Sequence, residues 1–292
     1  MNQLPFSDTE SGTEEASPHP GGEAIRLRML IAYDGAPYHG IAPQKGQVTI
    51  GGNISAALTK ILQASAPLRP VVAGRTDTGV HAWGQVVHVD VPRTAATVKL
   101  GDLTRIRRSL SSMLGPSIVI RRLELAPADF HARYSALWRG YRYKILNEPT
   151  ADPALRNTTW HVPEPLDLAA VQLASDPFLG EHDFTSFARV LRSGRPVAMH
   201  RVVLDAKWAI HGDPDHPGLL RFEIRASSFC HQMVRAIVGF LVEAGHGHRH
   251  AGEVLDVLAM RKRPLTPLAP AHGLTLWDVG YPPRLAFEGV SS

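Results

Sequence analysis

The chain has a single cysteine, Cys230, among its 292 residues. That excludes an intrachain disulfide and every zinc site built on several thiolates. No run of about 18 apolar residues occurs, so no membrane-spanning helix is expected. The N-terminus lacks the basic-then-apolar order of a secretory signal, and these absences together point to the cytoplasm. A phosphate-binding P-loop, a dinucleotide fingerprint and a Gly-Xaa-Ser-Xaa-Gly elbow are missing too. Net charge is small, formally +4 with a pI of about 9.4. That balance permits a nucleic-acid partner without requiring one.

The sequence does contain enough apolar material for a substantial core, with 44% hydrophobic residues. Residues 1–24 form a Ser, Gly, Pro and Glu tail with too little to bury to offset the entropy of ordering. Residues 25–134 then read as one α+β unit. It comprises an extended segment Ile25–Tyr33, a helix Ile54–Gln63 capped by Asn53, and a strand Val71–Ala73. A Val-rich alternating strand Gln85–Val91, a basic helix Asp102–Leu114 and a strand Ser117–Leu125 complete it.

Residues 135–285 hold a second unit of similar make-up, followed by a tail from 286 to 292. Its elements are a strand Trp138–Asn147, an interrupted helix Leu166–Leu179, and the strands His200–Ile210 and Leu219–Ala226. Helices Phe229–Ala244 and Ala251–Met260 and a closing strand Leu274–Tyr281 follow. Two such halves suggest a duplication, although no residue-level repeat is visible.

Three stretches carry residues suited to chemistry. The first is Gly74-Arg75-Thr76-Asp77-Thr78-Gly79-Val80-His81, at the end of a strand. Its flanking glycines leave room for a ligand around a carboxylate projected from a stiff edge. The plain alternative is an Asx-type turn in which Asp77 bonds nearby amides. The second stretch runs from Phe130 through Ser135 to Arg139-Gly140-Tyr141-Arg142-Tyr143-Lys144. Strand alternation puts Arg139, Tyr141 and Tyr143 on one face and Arg142 and Lys144 on the other. Cations beside aromatic rings suit phosphate contact and base stacking, and an ordinary amphipathic strand gives the same pattern.

The third stretch is Ser227–Gly239, where Arg235 sits in a helix that is otherwise nearly all apolar. A buried guanidinium needs a partner. Asp77 is one candidate, Glu243 another, and snorkelling to solvent is the third reading. The histidines of His246-Gly247-His248-Arg249-His250 read as a solvated helix end, and no metal is expected there.

In this order the stretches resemble the bacterial tRNA pseudouridine synthase A family, over about residues 26 to 283. Ala73–His81 with Gly84-Gln85-Val86 resembles its catalytic motif, and Phe130–Ser135 with Arg139–Tyr143 its second. Asp183-Phe184-Thr185-Ser186-Phe187, Met233–Gly239 and Gly273-Leu274 before Tyr281-Pro282 resemble further blocks, as do Tyr33-Asp34-Gly35 and Tyr38-His39-Gly40. The resemblance implies an α+β fold of two RNA-recognition-like halves. Each would be a mostly antiparallel sheet with helices on one face, with the active-site cleft between them.

The resemblance also implies an isomerase that acts on uridines 38 to 40 of the tRNA anticodon stem-loop, as a homodimer. Asp77 would be the essential aspartate, Tyr141 would stack on the flipped uracil, and Arg235 would pair with Asp77. Arg75 would fill the space the base vacates and Leu274 would line the pocket. Arg139 and His231 would also meet the substrate. The family usually has Trp-Gln after Gly40, where this chain has Ile41-Ala42. It has Thr-Val-Gln where this chain has Thr49-Ile50-Gly51-Gly52. Those departures are expected to bear on RNA docking and the dimer surface rather than on the chemistry.

Pseudouridine formation breaks the N1–C1′ bond, rotates the uracil and joins C5 to C1′. No redox change occurs, so no cofactor is needed. A carboxylate serves as nucleophile at a sugar carbon or as a base beside it. Attack at C1′, addition to the base and a glycal route all remain open. Competing readings are a synthase with a shifted target position and an inactive paralogue that binds or remodels tRNA.

Overall fold

The computed structural model describes residues 24–93, 101–189, 199–210, 212–260 and 264–287. Nearly all of the expected N-terminal tail lies outside them. Strand β1 (Ala24–Tyr33) lies inside a sheet covered on both faces, so its apolar run is almost unbroken. Leu27, Met29, Ile31 and Tyr33 join the main core, while Leu30 joins a smaller cluster with Phe130, Tyr281 and Phe287. Two arginines on β1 are buried because their donors are matched. Arg26 forks onto Asp90 and bonds Phe130 O, and Arg28 holds Glu124 and the carbonyls of Leu285 and Ala286.

Helix α1 (Ile50–Leu62) starts four residues before the expected Ile54, and Thr49 caps it rather than Asn53. The Thr49 hydroxyl accepts the Gly52 amide at 3.2 Å. The missing Cβ at Gly51 makes this start possible, since one there would stand 2.5 Å from the Ile41 carbonyl oxygen. The two sequence departures are therefore one packed unit, with the Gly51 amide donating to Ile41 O at 2.9 Å.

Strands β2 (Val71–Val72), β3 (His81–Pro92) and β4 (Ile118–Leu125) complete the first half with helix α2 (Leu103–Leu114). Asp102 caps α2, which buries Ile106, Leu110 and Leu114 and leaves Arg105 and Arg108 exposed.

The second half contains β5 (Trp138–Leu146), β6 (Trp160–His161), α3 (Leu168–Ser175), β7 (Gly180–Asp183), β8 (His200–Ile210) and β9 (Leu219–Ala226). Helices α4 (Met233–Gly245) and α5 (Glu253–Met260) and strand β10 (Leu274–Gly280) follow. The interruption expected in Leu166–Leu179 falls where α3 passes into a single 3-10 turn at Asp176-Pro177-Phe178. Helix α4 begins four residues after the expected Phe229, because Gln232 adopts a left-handed φ of 63°.

The strands of both halves share one ten-stranded sheet in the order β4-β1-β3-β10-β5-β9-β8-β7. Strand β2 is added on β3, and β6 on β5. The pairing is mostly antiparallel, and the fold is α+β. The halves meet where β10 runs parallel to β3 for only two residue pairs, Thr275 with His81 and Leu276 with Ala82. This short seam lies next to the turn that precedes β3.

Candidate active site

The turn from Gly74 to Val80 is held from behind by polar groups that the alternating pattern of β3 concealed. Gln85 is completely buried, and its amide clamps Gly74. Nε2 donates to Gly74 O at 2.7 Å, and Oε1 accepts Gly74 N at 3.4 Å. Tyr33 Oη and Thr76 Oγ1 share a hydrogen bond of 2.7 Å. Burial pushes the Tyr33 phenol up to about 12, so it remains a neutral partner. The Ile41 amide donates to Thr76 O at 3.2 Å. The backbone at Ile41, where the sequence leaves the family pattern, thus abuts this turn.

Asp77 stands out from this turn with its side chain 30% exposed. Its carboxylate faces the second half. His231 Nε2 lies 3.2 Å from Oδ1, and Arg235 Nη1 lies 3.9 Å from Oδ2. Arg235 is also fixed by its Nε, which donates to Ala269 O at 2.7 Å. Glu243, the other acid considered for Arg235, instead contacts His248 near the C-terminal end of α4. The segment Phe229–Gln232 and the first turn of α4 therefore deliver a guanidinium and an imidazole to one carboxylate.

Tyr141, in the middle of β5, is 8% exposed, and its ring stands edge-on to Phe229 with centroids 5.0 Å apart. A Cβ built at Gly74 would lie 3.8 Å from its hydroxyl, so the phenol reaches the base of the turn. Burial raises the Tyr141 pKa well above that of an exposed phenol, so the hydroxyl stays protonated. Leu274 is buried one strand away, paired with Tyr143. Arg75 is exposed on the rim of the turn.

Arg139 departs from what the sequence implied. It shares a face of β5 with Tyr141, but its guanidinium is buried and committed to the backbone. Nε and Nη2 donate to Ala73 O, Nη2 also to Arg133 O, and Nη1 to Ala136 O and Ser227 O. All five donors of the group are thereby engaged by backbone carbonyls. Ala73 leads into the Asp77 turn and Ser227 into the segment bearing His231 and Arg235. Arg139 thus ties together the two approaches to the carboxylate.

His81 closes the first motif, yet sequence reasoning gave it no role. Its Nδ1 accepts the Gly35 amide at 3.1 Å, and its Nε2 reaches Asn157 O at 2.8 Å. The ring thus joins the first half to the second. The signal available for Gln85 and His81 was a polar residue at an inward position of an apolar strand.

Comparison with known proteins adds a family to this geometry. A family model described as tRNA pseudouridine synthase matches residues 174–282. The chain is similar to the tRNA pseudouridine synthase A of Frankia casuarinae, at 42% identity over 261 residues, covering 89% of this chain and 90% of that one. The tRNA pseudouridine synthase A of Leifsonia xyli subsp. xyli is 37% identical over 274 residues, 89% of this chain and 93% of that one. That of Gluconobacter oxydans is 36% identical over 281 residues, covering 95% and 98%.

Proposed function

The chain belongs to the tRNA pseudouridine synthase A family and isomerises uridine to pseudouridine in tRNA, and on that premise we propose that Asp77 is the carboxylate that carries the reaction. The observation that supports this role is the convergence on Asp77 of His231 and Arg235 from the other half of the chain. A guanidinium and an imidazole beside the carboxylate fix where it points. Asp77 so placed serves as nucleophile at C1′ or as base at C2′.

Residues around the carboxylate divide the remaining work. Tyr141 stacks on the extruded uracil, which offsets part of an unstacking cost of about a few kcal/mol. Arg75, exposed beside Asp77, occupies the gap left in the RNA, and Leu274 lines the pocket. His231 contacts both the carboxylate and the substrate. Arg139 acts by position, since its donors are committed to the backbone. Residues 25–134 and 135–285 form the two lips of the cleft.

The target we propose is the anticodon stem-loop, at positions 38 to 40, with two copies of the chain forming the working enzyme in the cytoplasm. No described helix is long and apolar enough to cross a membrane. The reaction conserves every atom of the uridine and calls for no cofactor. Mapping pseudouridine in cellular tRNA with and without this protein tests the assignment. Loss confined to positions 38 to 40 supports it, and loss elsewhere replaces the target.

A further inference from the structure

Helix α4 ends in a backbone motif that fixes three side chains by geometry. Gly247 takes a left-handed φ of +75°. Two hydrogen bonds close the turn, from Gly247 N to Ala244 O at 3.0 Å and from His248 N to Glu243 O at 2.9 Å. This is the bonding of a Schellman cap, with His246 as the cap residue. In such a cap the third-last helical residue and the residue after the glycine touch, commonly as an apolar pair. Here those positions hold Glu243 and His248, and His248 Nδ1 lies 3.0 Å from Glu243 Oε2. His246 stands between them in sequence. One ligand atom from each of the three lies within 4.8 Å of the others.

Two further features favour a cation there. His246 Nε2 is buried with no hydrogen-bond partner among the described residues, a costly state for an imidazole nitrogen. The helix also presents the negative end of its dipole at this terminus. Arg249, the nearest cation in sequence, pairs with Glu253 at 2.9 Å. The histidines alone had suggested a solvated helix end. What the sequence hid was Glu243, which the cap folds back onto His248.

We propose that Glu243, His246 and His248 bind one divalent transition-metal ion of the zinc class. Two imidazoles and one carboxylate suit that class, with a fourth position left to water. Tetrahedral ligands at about 2.0 Å from zinc stand about 3.3 Å apart, and the Glu243–His248 pair already has nearly that spacing. The site begins at Glu243, about 12 Å from Arg235 along α4, at 1.5 Å per residue. The ion braces the far end of that helix and takes no part in the isomerisation.

The test is a Co²⁺ titration of the tag-free, chelator-stripped full chain, read by visible absorption and followed by displacement with Zn²⁺. One equivalent of Co²⁺ is expected to bind and to be displaced by Zn²⁺. Glu243→Gln and His248→Ala should each weaken binding at least tenfold, with circular dichroism showing both variants folded. His250→Ala, altering a nearby histidine outside the cluster, should leave binding unchanged. Failure to bind one equivalent overturns the proposal. Equal binding by wild type and both ligand variants overturns it as well, because the ion then sits on other histidines.

Discussion

His231 Nε2 lies 3.2 Å from one carboxylate oxygen of Asp77, closer than Arg235, whose Nη1 is 3.9 Å from the other. Both groups come from the entry to α4, while Asp77 comes from the turn before β3. The carboxylate is thus held by the relation between two distant parts of the chain rather than by its own loop.

Arg235 is a fork with two tasks, since Nε holds Ala269 O while Nη1 faces Asp77. A lysine can perform only one of them. Arg235→Leu should lower kcat about a hundredfold, equivalent to about 2.7 kcal/mol, and Arg235→Lys should recover part of that. A double-mutant cycle with Asp77→Ala should be strongly non-additive. Full additivity in single-turnover kinetics would separate the two residues.

For Tyr141 the hydroxyl is buried and its pKa is raised, so the ring rather than a phenolate is available to the substrate. Tyr141→Phe should keep tRNA binding and lose less than tenfold in turnover. Tyr141→Leu should fail at both. A Phe variant as inactive as the Leu variant would return the proton work to the hydroxyl.

Removing the Arg139 guanidinium would take its bonds from four carbonyls, one buried and three partly buried. Arg139→Met should therefore cost about 3 kcal/mol or more in unfolding free energy, at roughly 1 kcal/mol or more per lost charged bond. Arg139→Lys should keep more stability, yet lower kcat with little change in KM, because the two approaches to Asp77 are no longer tied. Denaturant melts and steady-state kinetics on the same samples check both parts. A large rise in KM at unchanged kcat would mean direct substrate contact.

His88 supplies a pH limb. Burial, with Arg26 and His131 adding positive charge nearby, lowers its pKa to about 3 in the folded chain. Its Nδ1 accepts the Ala132 amide at 3.1 Å, a bond that needs that nitrogen unprotonated. The folded state resists a proton that the unfolded chain accepts near pH 6.5, so stability falls as pH drops below that value. The loss should reach about 2 kcal/mol by pH 5, at 1.36 kcal/mol per pH unit. His88→Gln retains an acceptor and should flatten the dependence of Tm on pH across that interval. An unchanged slope would assign the acid limb to other groups.

The elements legible in the sequence were the longer ones with an apolar pattern: β1, β3, β4, β5, β8, β9, β10, α2, α5 and the body of α4. The start of α1 was misplaced because Gly51 and Gly52 are poor helix formers, and the close approach of Gly51 to Ile41 appears only in the fold. Strands β6 and β7 are short and lack a pattern of their own. Asp77, Tyr141 and Arg235 were visible as motif residues. Gln85 and His81 lay in the same motif but carried no expected role, because a polar residue in an apolar strand reveals its partner only after folding. Arg139 was expected to meet the substrate, because strand alternation does not show that backbone carbonyls take up all its donors.

The central claim rests on one carboxylate, and Asp77→Asn is nearly isosteric with it. With saturating tRNA in a single-turnover assay, the variant should bind tRNA as wild type does. It should form no detectable pseudouridine in the time wild type needs for completion. Turnover within tenfold of wild type, a barrier change of about 1.4 kcal/mol, would contradict the account.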